Sequence, residues 1–544
     1  MTANGPRSTV HGYLLPVLHA HLPFVRHPEH PEFLEEDWLF EAITETYIPL
    51  LSMMDRLQSE GVRFRMTMTL TPTLCEMLAD PLLQGRYVRR LARLMDLADR
   101  ERGRMVGTPF AAAVEVHRTM VTNAHEWFER RCGRRLLPAF KALQDGGSLE
   151  IVTCGATHAF MPHVGNPAAA NAQIAVAVAN YRKHFGRAPR GIWLGECAYA
   201  PGIDALLKKH GIGFFFVDSH GLLNGSHVPK SGVFAPVKTP AGVHAFARDL
   251  ESSKQVWSAK EGYPGDGVYR EFYRDIGYDA PMEHIKPYLH ADGIRRNIGF
   301  KYFRVTGSVQ LHEKQPYDPA AAREKAMQHA NHFAWCREKQ AEWLASKFGR
   351  PAAIVSPYDA ELFGHWWFEG PVFLETLFRR MASLPDIALL TPSEWLTITP
   401  GAQTLEPSTS SWGDKGYGEV WLNPGNDWIY RHQHRAEDRM VQLARRFAAE
   451  DGPSPSEQGE SRRLTRRAMN QAARELLLAQ ASDWAFLMTV GTAVPYAHRR
   501  FKEHITRFNA LADAVEGGSV NEAALHEIEQ RDTIFQEIDY RVYA

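Results

Sequence analysis

Two short segments carry the residues best suited to chemistry. In Trp193-Leu194-Gly195-Glu196-Cys197, Glu196 stands just past the apolar run 191–194. In Ser356-Pro357-Tyr358-Asp359, Asp359 stands just past the run 352–356, and Trp366 and Trp367 follow it closely. Each run reads as a buried strand, which predicts two carboxylates at strand ends among aromatic rings. Sugar cleavage uses such a pair: one acid protonates the leaving oxygen, and the other attacks or supports the anomeric carbon. Rings such as Trp193, Trp366 and Trp367 can cover the apolar faces of pyranoses. Taken singly, each acid has a plainer reading, Glu196 as a surface or capping residue and Asp359 as a turn residue after Pro357.

Histidines recur at the same kind of position. His19 and His21 close the first strand candidate, residues 13–18, and His158 follows the candidate 149–154. Two residues apart on a strand, His19 and His21 point the same way. Hydrogen bonding of sugar hydroxyls by His19 and His158 is one reading, and core packing is another. A third is a zinc site built from His19 and His21 with Asp218 or His220, which would make the protein a metal-dependent carbohydrate deacetylase.

The elements that must position these residues alternate between strand and helix. A helix capped by Asp37 runs through Leu57 and is closed by Gly61. Strand 63–70 follows, then a mostly helical stretch over 80–145. Asn166 caps a helix with Pro167 at its first position and Gly186 at its end. Strands at 191–194 and 213–217 come next. Residues 220–300 show no period and read as long loops with short strands. Helices are predicted over 320–348 and 371–382, a strand over 387–390, and a capping box at Thr391-Pro392-Ser393-Glu394. This alternation implies parallel βα units. His19, His21, His158, Glu196 and Asp359 then share the C-terminal face, where a βα barrel builds its active site. Residues 451–461 have linker composition, and the rest of the chain is helical in period.

Composition narrows the partners. The 544 residues exceed one ordinary core. Lys+Arg 62 against Asp+Glu 63 leaves a net charge of −1, which gives nucleic acid or an anionic membrane no electrostatic drive. A neutral substrate fits better. Five scattered cysteines, without a CxxC pair, suit a reducing cytoplasm. The polar start, residues 1–11, reads as no signal peptide, and no apolar run is long enough to span a membrane.

Longer motifs resemble glycoside hydrolase family 57 and, within it, the 1,4-α-glucan branching enzymes. They are Leu18-His19-Ala20-His21-Leu22-Pro23-Phe24, Asp37-Trp38-Leu39-Phe40, Cys154-Gly155-Ala156-Thr157-His158, residues 193–202, Glu261-Gly262-Tyr263-Pro264-Gly265, residues 356–370, Ser411-Trp412-Gly413, Trp421-Leu422-Asn423-Pro424 and Ser482-Asp483-Trp484. The resemblance implies an incomplete (β/α)7 barrel over residues 8–400, with insertions, and a mainly helical C-terminal domain over 401–544. It implies Glu196 as nucleophile and Asp359 as general acid/base, with the carboxyls about 5–5.5 Å apart. Glu196 is expected ionised and Asp359 protonated in the free enzyme. His19, His21, His158 and Asp483 are implied beside the reacting sugar, and Trp38, Trp412 and Trp421 along the glucan groove. The implied donor and acceptor are α-1,4-glucan chains, with no metal or cofactor, and a monomer is expected. The family's lid-loop Tyr would fall near Phe246 or Tyr263. A 4-α-glucanotransferase or α-amylase of the family would differ only in acceptor.

Overall fold

The computed structural model describes residues 10–258, 261–450 and 459–544. Nine strands form one curled sheet: β1 (Gly12–Ala20), β2 (Met66–Leu70), β3 (Leu149–Cys154), β4 (Gly191–Trp193), β5 (Phe214–Val217), β6 (Val237–Lys238), β7 (His244–Ala247), β8 (Ala352–Asp359) and β9 (Ile387–Leu389). The order is β6-β7-β5-β4-β3-β2-β1-β8, with β9 paired to β1. All pairings are parallel except β6 with β7. Seven strands, from β8 through β1 round to β7, thus make an incomplete (β/α)7 barrel. Its open seam, between β7 and β8, is bridged by the Asp249 amide donating to the Val355 carbonyl at 2.9 Å.

Strand alternation sorts the side chains. Leu15 and Val17 of β1, Val152 and Cys154 of β3, Trp193 of β4, Phe214 and Phe216 of β5, Phe246 of β7 and Ala353 and Val355 of β8 fill the barrel interior, with Trp395 at its base. His19 continues the parity of Leu15 and Val17, and Asp359 that of Ala353 and Val355. Register puts His19 opposite Asp359 on neighbouring strands. A strand coded late in the chain thereby stands beside the first, at the C-terminal mouth.

Local signals explain several boundaries. Asn166 Oδ1 accepts from the Ala168 amide at 2.9 Å, opening helix Pro167–Phe185, and Gly186 ends it at φ 71°. Thr391 and Glu394 form the predicted capping box reciprocally. The helix predicted from Asp37 differs. Asp37 caps nothing: it lies inside helix Glu36–Ala42 and pairs with Arg90 and His290. A π-turn, Ile43–Tyr47, interrupts the helix before Ile48–Ser59. Residues 451–458 of the predicted linker lie outside the described residues, and 460–461 already belong to helix Glu460–Ala479.

Beyond the barrel, helices Trp428–Glu450, Glu460–Ala479, Ser482–Val490 and Val494–Glu516 pack together. The turn between the second and third docks on the loop after β3. Thr157 Oγ1 donates to the Leu477 carbonyl, and the Ser482 amide to the His158 carbonyl at 3.3 Å. No described helix is long and apolar enough to cross a membrane.

Candidate active site

Glu196 stands on a tight turn after β4, with φ 61° and ψ 23°. Cys197 at φ 51° and His158 at φ 58° are left-handed too. Such conformations cost non-glycine residues on the order of 1–3 kcal/mol each and gather at functional sites. Gly195 lets the two loops meet, since a Cβ there would lie 2.6 Å from the Ala159 carbonyl oxygen and 2.8 Å from that of His158.

Two donors from beyond the barrel hold the Glu196 carboxylate. Trp412 Nε1–H donates to Oε2 at 2.9 Å, and Ser482 Oγ–H to Oε1 at 3.1 Å. The proton inventory then fixes a chain. Ser482 spends its only hydrogen on Glu196, so His158 Nδ1–H donates to Ser482 Oγ at 2.8 Å. Burial and the neighbouring His21 and His19 keep His158 neutral, with its pKa well below the usual histidine value. Its Nε2 is therefore bare and accepts from His19 Nε2–H at 2.9 Å. His19 is itself held neutral by burial and by His21. His21 stacks on His158 at 3.7 Å and meets Asp483 at 3.0 Å.

Asp359 ends β8 above a buried acidic layer. Tyr47 OH donates to Glu361 Oε1 at 2.5 Å, and Glu45 Oε2 meets His365 Nδ1 at 2.9 Å. The π-turn turns Glu45 and Tyr47 inward. Gly364, at φ 118°, allows the loop after Asp359 to lie against it, because a Cβ there would collide with the Glu45 carbonyl. Burial, then Glu361 and Glu196, push the Asp359 pKa well above the usual carboxylate range. Burial also pushes Glu196 up, to about 7, but Trp412 and Ser482 oppose it. Burial thus raises both carboxyls, and of the two only Glu196 has side-chain donors to its ionised form.

His19, His21, His158, Trp193, Trp412 and Asp483 thus join Glu196 in one contact network. The other tryptophans divide by burial. Trp193 is fully buried, stacked on His19 at 4.8 Å. Trp367 and Trp421 are each 1% exposed, so neither offers a ring face to a sugar. Trp421 stacks on Phe160 at 4.6 Å, and Trp367 packs on Phe373 at 4.9 Å. These three act on the groove only through what they support. Trp38 is half-buried, edge-on to Tyr496 at 5.8 Å. At this site the exposed rings are Trp366 and the unforeseen Trp257, which lies 6.2 Å from Trp366 and 6.3 Å from Trp412. Phe246 is a buried barrel residue, not a loop tip. Tyr263 hydrogen-bonds His332 at 2.7 Å.

The zinc arrangement built on Asp218 or His220 is not the one that forms. Asp218 pairs with Arg248, and His220 Nε2–H donates to the Gly416 carbonyl at 2.7 Å. At this mouth the ligand atoms that converge, within 4.8 Å, belong to His21, His158 and Asp483. Ser482 and Glu361 lie inside segments that carry the resemblance, but neither stands out there as a site residue.

Comparison with known proteins agrees with this geometry. The glycosyl hydrolase family 57 model matches residues 17–406, and the model for the 1,4-alpha-glucan branching enzyme C-terminal region matches 432–543. A 1,4-alpha-glucan branching enzyme of Thermococcus kodakarensis is 37% identical over 97% of this chain and 78% of its own. Among solved structures, an alpha-amylase of Thermotoga maritima is 46% identical, with TM-score 0.90 over 98% of this chain and 99% of that one. A family 57 branching enzyme of Pyrococcus horikoshii is 35% identical, with TM-score 0.86 over 98% and 97%. With its matched model spanning the whole barrel and its carboxylates at the mouth, the chain belongs to glycosyl hydrolase family 57.

Proposed function

We propose that the protein is a 1,4-α-glucan branching enzyme, acting by retaining double displacement on α-1,4-glucan as both donor and acceptor. The observation that carries this reading is the unequal treatment of two buried carboxylates. Glu196 receives two hydrogen bonds to its ionised form, whereas burial, then Glu361 and Glu196, push Asp359 well above the usual carboxylate range, toward its protonated form. Asp359 gives its proton to the α-1,4 oxygen while Glu196 attacks the anomeric carbon, forming a glucosyl ester. The 6-hydroxyl of a second glucan chain then gives its proton back to Asp359 and attacks the ester, which closes an α-1,6 branch and frees Glu196. Two inversions retain the α configuration. Positioned hydroxyls must outcompete water. The open rings of Trp257, Trp366 and Trp412 suit that task by gripping the acceptor and limiting solvent.

The match of residues 432–543 to the branching-enzyme C-terminal model favours branching over simple hydrolysis, as does the 37% identical branching enzyme. All five cysteines are unpaired, which supports a reducing cytoplasm as the place of work. We read the barrel, residues 8–400, as the catalytic domain and 401–544 as a domain that completes its site. Incubation with amylose, followed by enzymatic debranching and chain-length analysis, tests the function. New α-1,6 linkages with few new reducing ends are expected. Reducing ends without α-1,6 linkages would make the protein an α-amylase of the same fold.

A further inference from the structure

Helix Pro319–Phe348 carries two large indoles in solvent, Trp335 at 55% and Trp343 at 57% exposure. Single exposed apolar residues are ordinary, but these two are organised. Eight residues apart, they are spaced about 12 Å along the helix axis, and both line one cleft of about 520 Å³. Phe234, Lys339 and Gln340 complete its floor and walls.

The chemistry of the cleft selects its occupant. Its charges are already paired: Asp249 and Glu251 with Arg337, and Lys339 with Glu342. An ionic ligand would have to break those pairs. Gln340 Nε2–H donates to Asp249 at 3.1 Å, so this amide too is turned inward. Indole faces, with every charged group of the cleft already engaged, suit a neutral, polyhydroxylated chain whose sugar rings stack on indoles.

The cleft lies one helix away from the catalytic groove. Gln255 Nε2–H reaches Cys336 Sγ at 3.4 Å, and Trp257, two residues on in helix Leu250–Trp257, stands over Trp412 beside Glu196. On the same helix as the indoles, His332 stacks with Trp335 and hydrogen-bonds Tyr263. One short helix thus separates the paired indoles from the groove.

We infer that the Trp335–Trp343 cleft is a second α-1,4-glucan-binding site, distinct from the catalytic groove, that retains polymer beside it. The inference rests on the α-glucan reading of the active site. Tethering one part of a long chain raises the effective concentration of the rest at the groove. The gain should therefore appear with polymer and vanish with short oligosaccharides.

The test uses the full-length protein with Trp335→Ala, Trp343→Ala and the double substitution, each checked for an unchanged melting temperature. Native electrophoresis in gels containing amylopectin measures retention. Each substitution is expected to weaken it about tenfold, the scale of one stacked ring. The KM for amylopectin should rise while kcat/KM for a short maltooligosaccharide stays at the wild-type value. Retention and KM unchanged in the double variant, with wild-type activity intact, would overturn the inference alone. So would a changed oligomeric state by light scattering without lost retention, since the indoles would then join copies of the chain. A wild-type protein that neither binds nor acts on α-glucan would instead overturn the proposed function on which the site depends.

Discussion

Trp412→Phe isolates one hydrogen bond at the catalytic pair. The substitution removes the Nε1–H that reaches Glu196 Oε2 at 2.9 Å. It keeps the bond from the residue 412 amide to the Glu196 carbonyl and a ring against Trp193 and Trp257. A hydrogen bond to a charged group is worth about 1.5–3 kcal/mol, and one pKa unit corresponds to about 1.36 kcal/mol. Losing a donor to the ionised form raises the pKa, so Glu196 should climb about one to two units from its value of about 7. The nucleophile works ionised, so the acid limb of the kcat/KM profile, which reports the free enzyme, moves to higher pH. At neutral pH the ionised fraction falls from about one half to between about one tenth and one hundredth. The expected loss there is about five- to fiftyfold, and raising the pH recovers it for as long as Asp359 keeps its proton. Initial rates on a soluble maltooligosaccharide across the pH range measure this. A uniform loss at every pH, with the acid limb in place, would refute the reasoning and leave Trp412 as a packing ring.

Three further outcomes are expected. Glu196→Gln should abolish transfer and hydrolysis together. Because the Glu196 pKa is raised, its contribution to stability is full below the ordinary carboxylate range and is lost as pH rises through about 7. The variant should therefore gain stability over wild type at alkaline pH, on the order of 3 kcal/mol, and a melting-temperature difference that does not grow between acid and alkaline buffer would contradict this. Asp359→Asn should stop turnover of natural glucan yet spare much of the first step on an activated aryl glucoside, whose leaving group needs little protonation; equal losses on both would remove it from the acid role. Trp421→Ala should cost about 3–5 kcal/mol of stability, as a buried ring does, and leave the ratio of hydrolysis to transfer unchanged. An altered ratio with an unaltered melting temperature would place Trp421 in the groove after all.

What could be read from the sequence was local. Asn166, Pro167 and Gly186 mark a helix by side-chain and backbone preferences that act within a few residues, as do Thr391 and Glu394. The strand runs before Glu196 and Asp359 act over a similar span: Asp359 ends β8 and Glu196 stands on the turn just past β4, both at the barrel mouth. What could not be read depends on long-range contact. Ser482 lies 286 residues from Glu196, and only the docking of the 477–483 turn on the β3 loop brings them together. The π-turn at Ile43–Tyr47 follows from the packing of the Asp359 loop against it, not from helix propensity. Tryptophan misled for a related reason: its type announces apolar area but not which face stays open. Trp421 and Trp367 were covered by other elements, while Trp257, in a stretch without period, remained open to the groove.

These distant contacts bear on how the chain divides. Both side-chain donors to Glu196, Trp412 and Ser482, are coded after the last barrel strand. The His19–His158 pair is hydrogen-bonded to Glu196 through Ser482. A barrel cut at residue 400 would therefore keep both carboxylates and lose every side-chain donor that favours ionised Glu196. Without those donors, burial would favour a protonated Glu196, and the division into acid and nucleophile that the proposed mechanism needs would be lost. On the proposed mechanism the C-terminal helices complete the active site, and the catalytic unit is the barrel together with them.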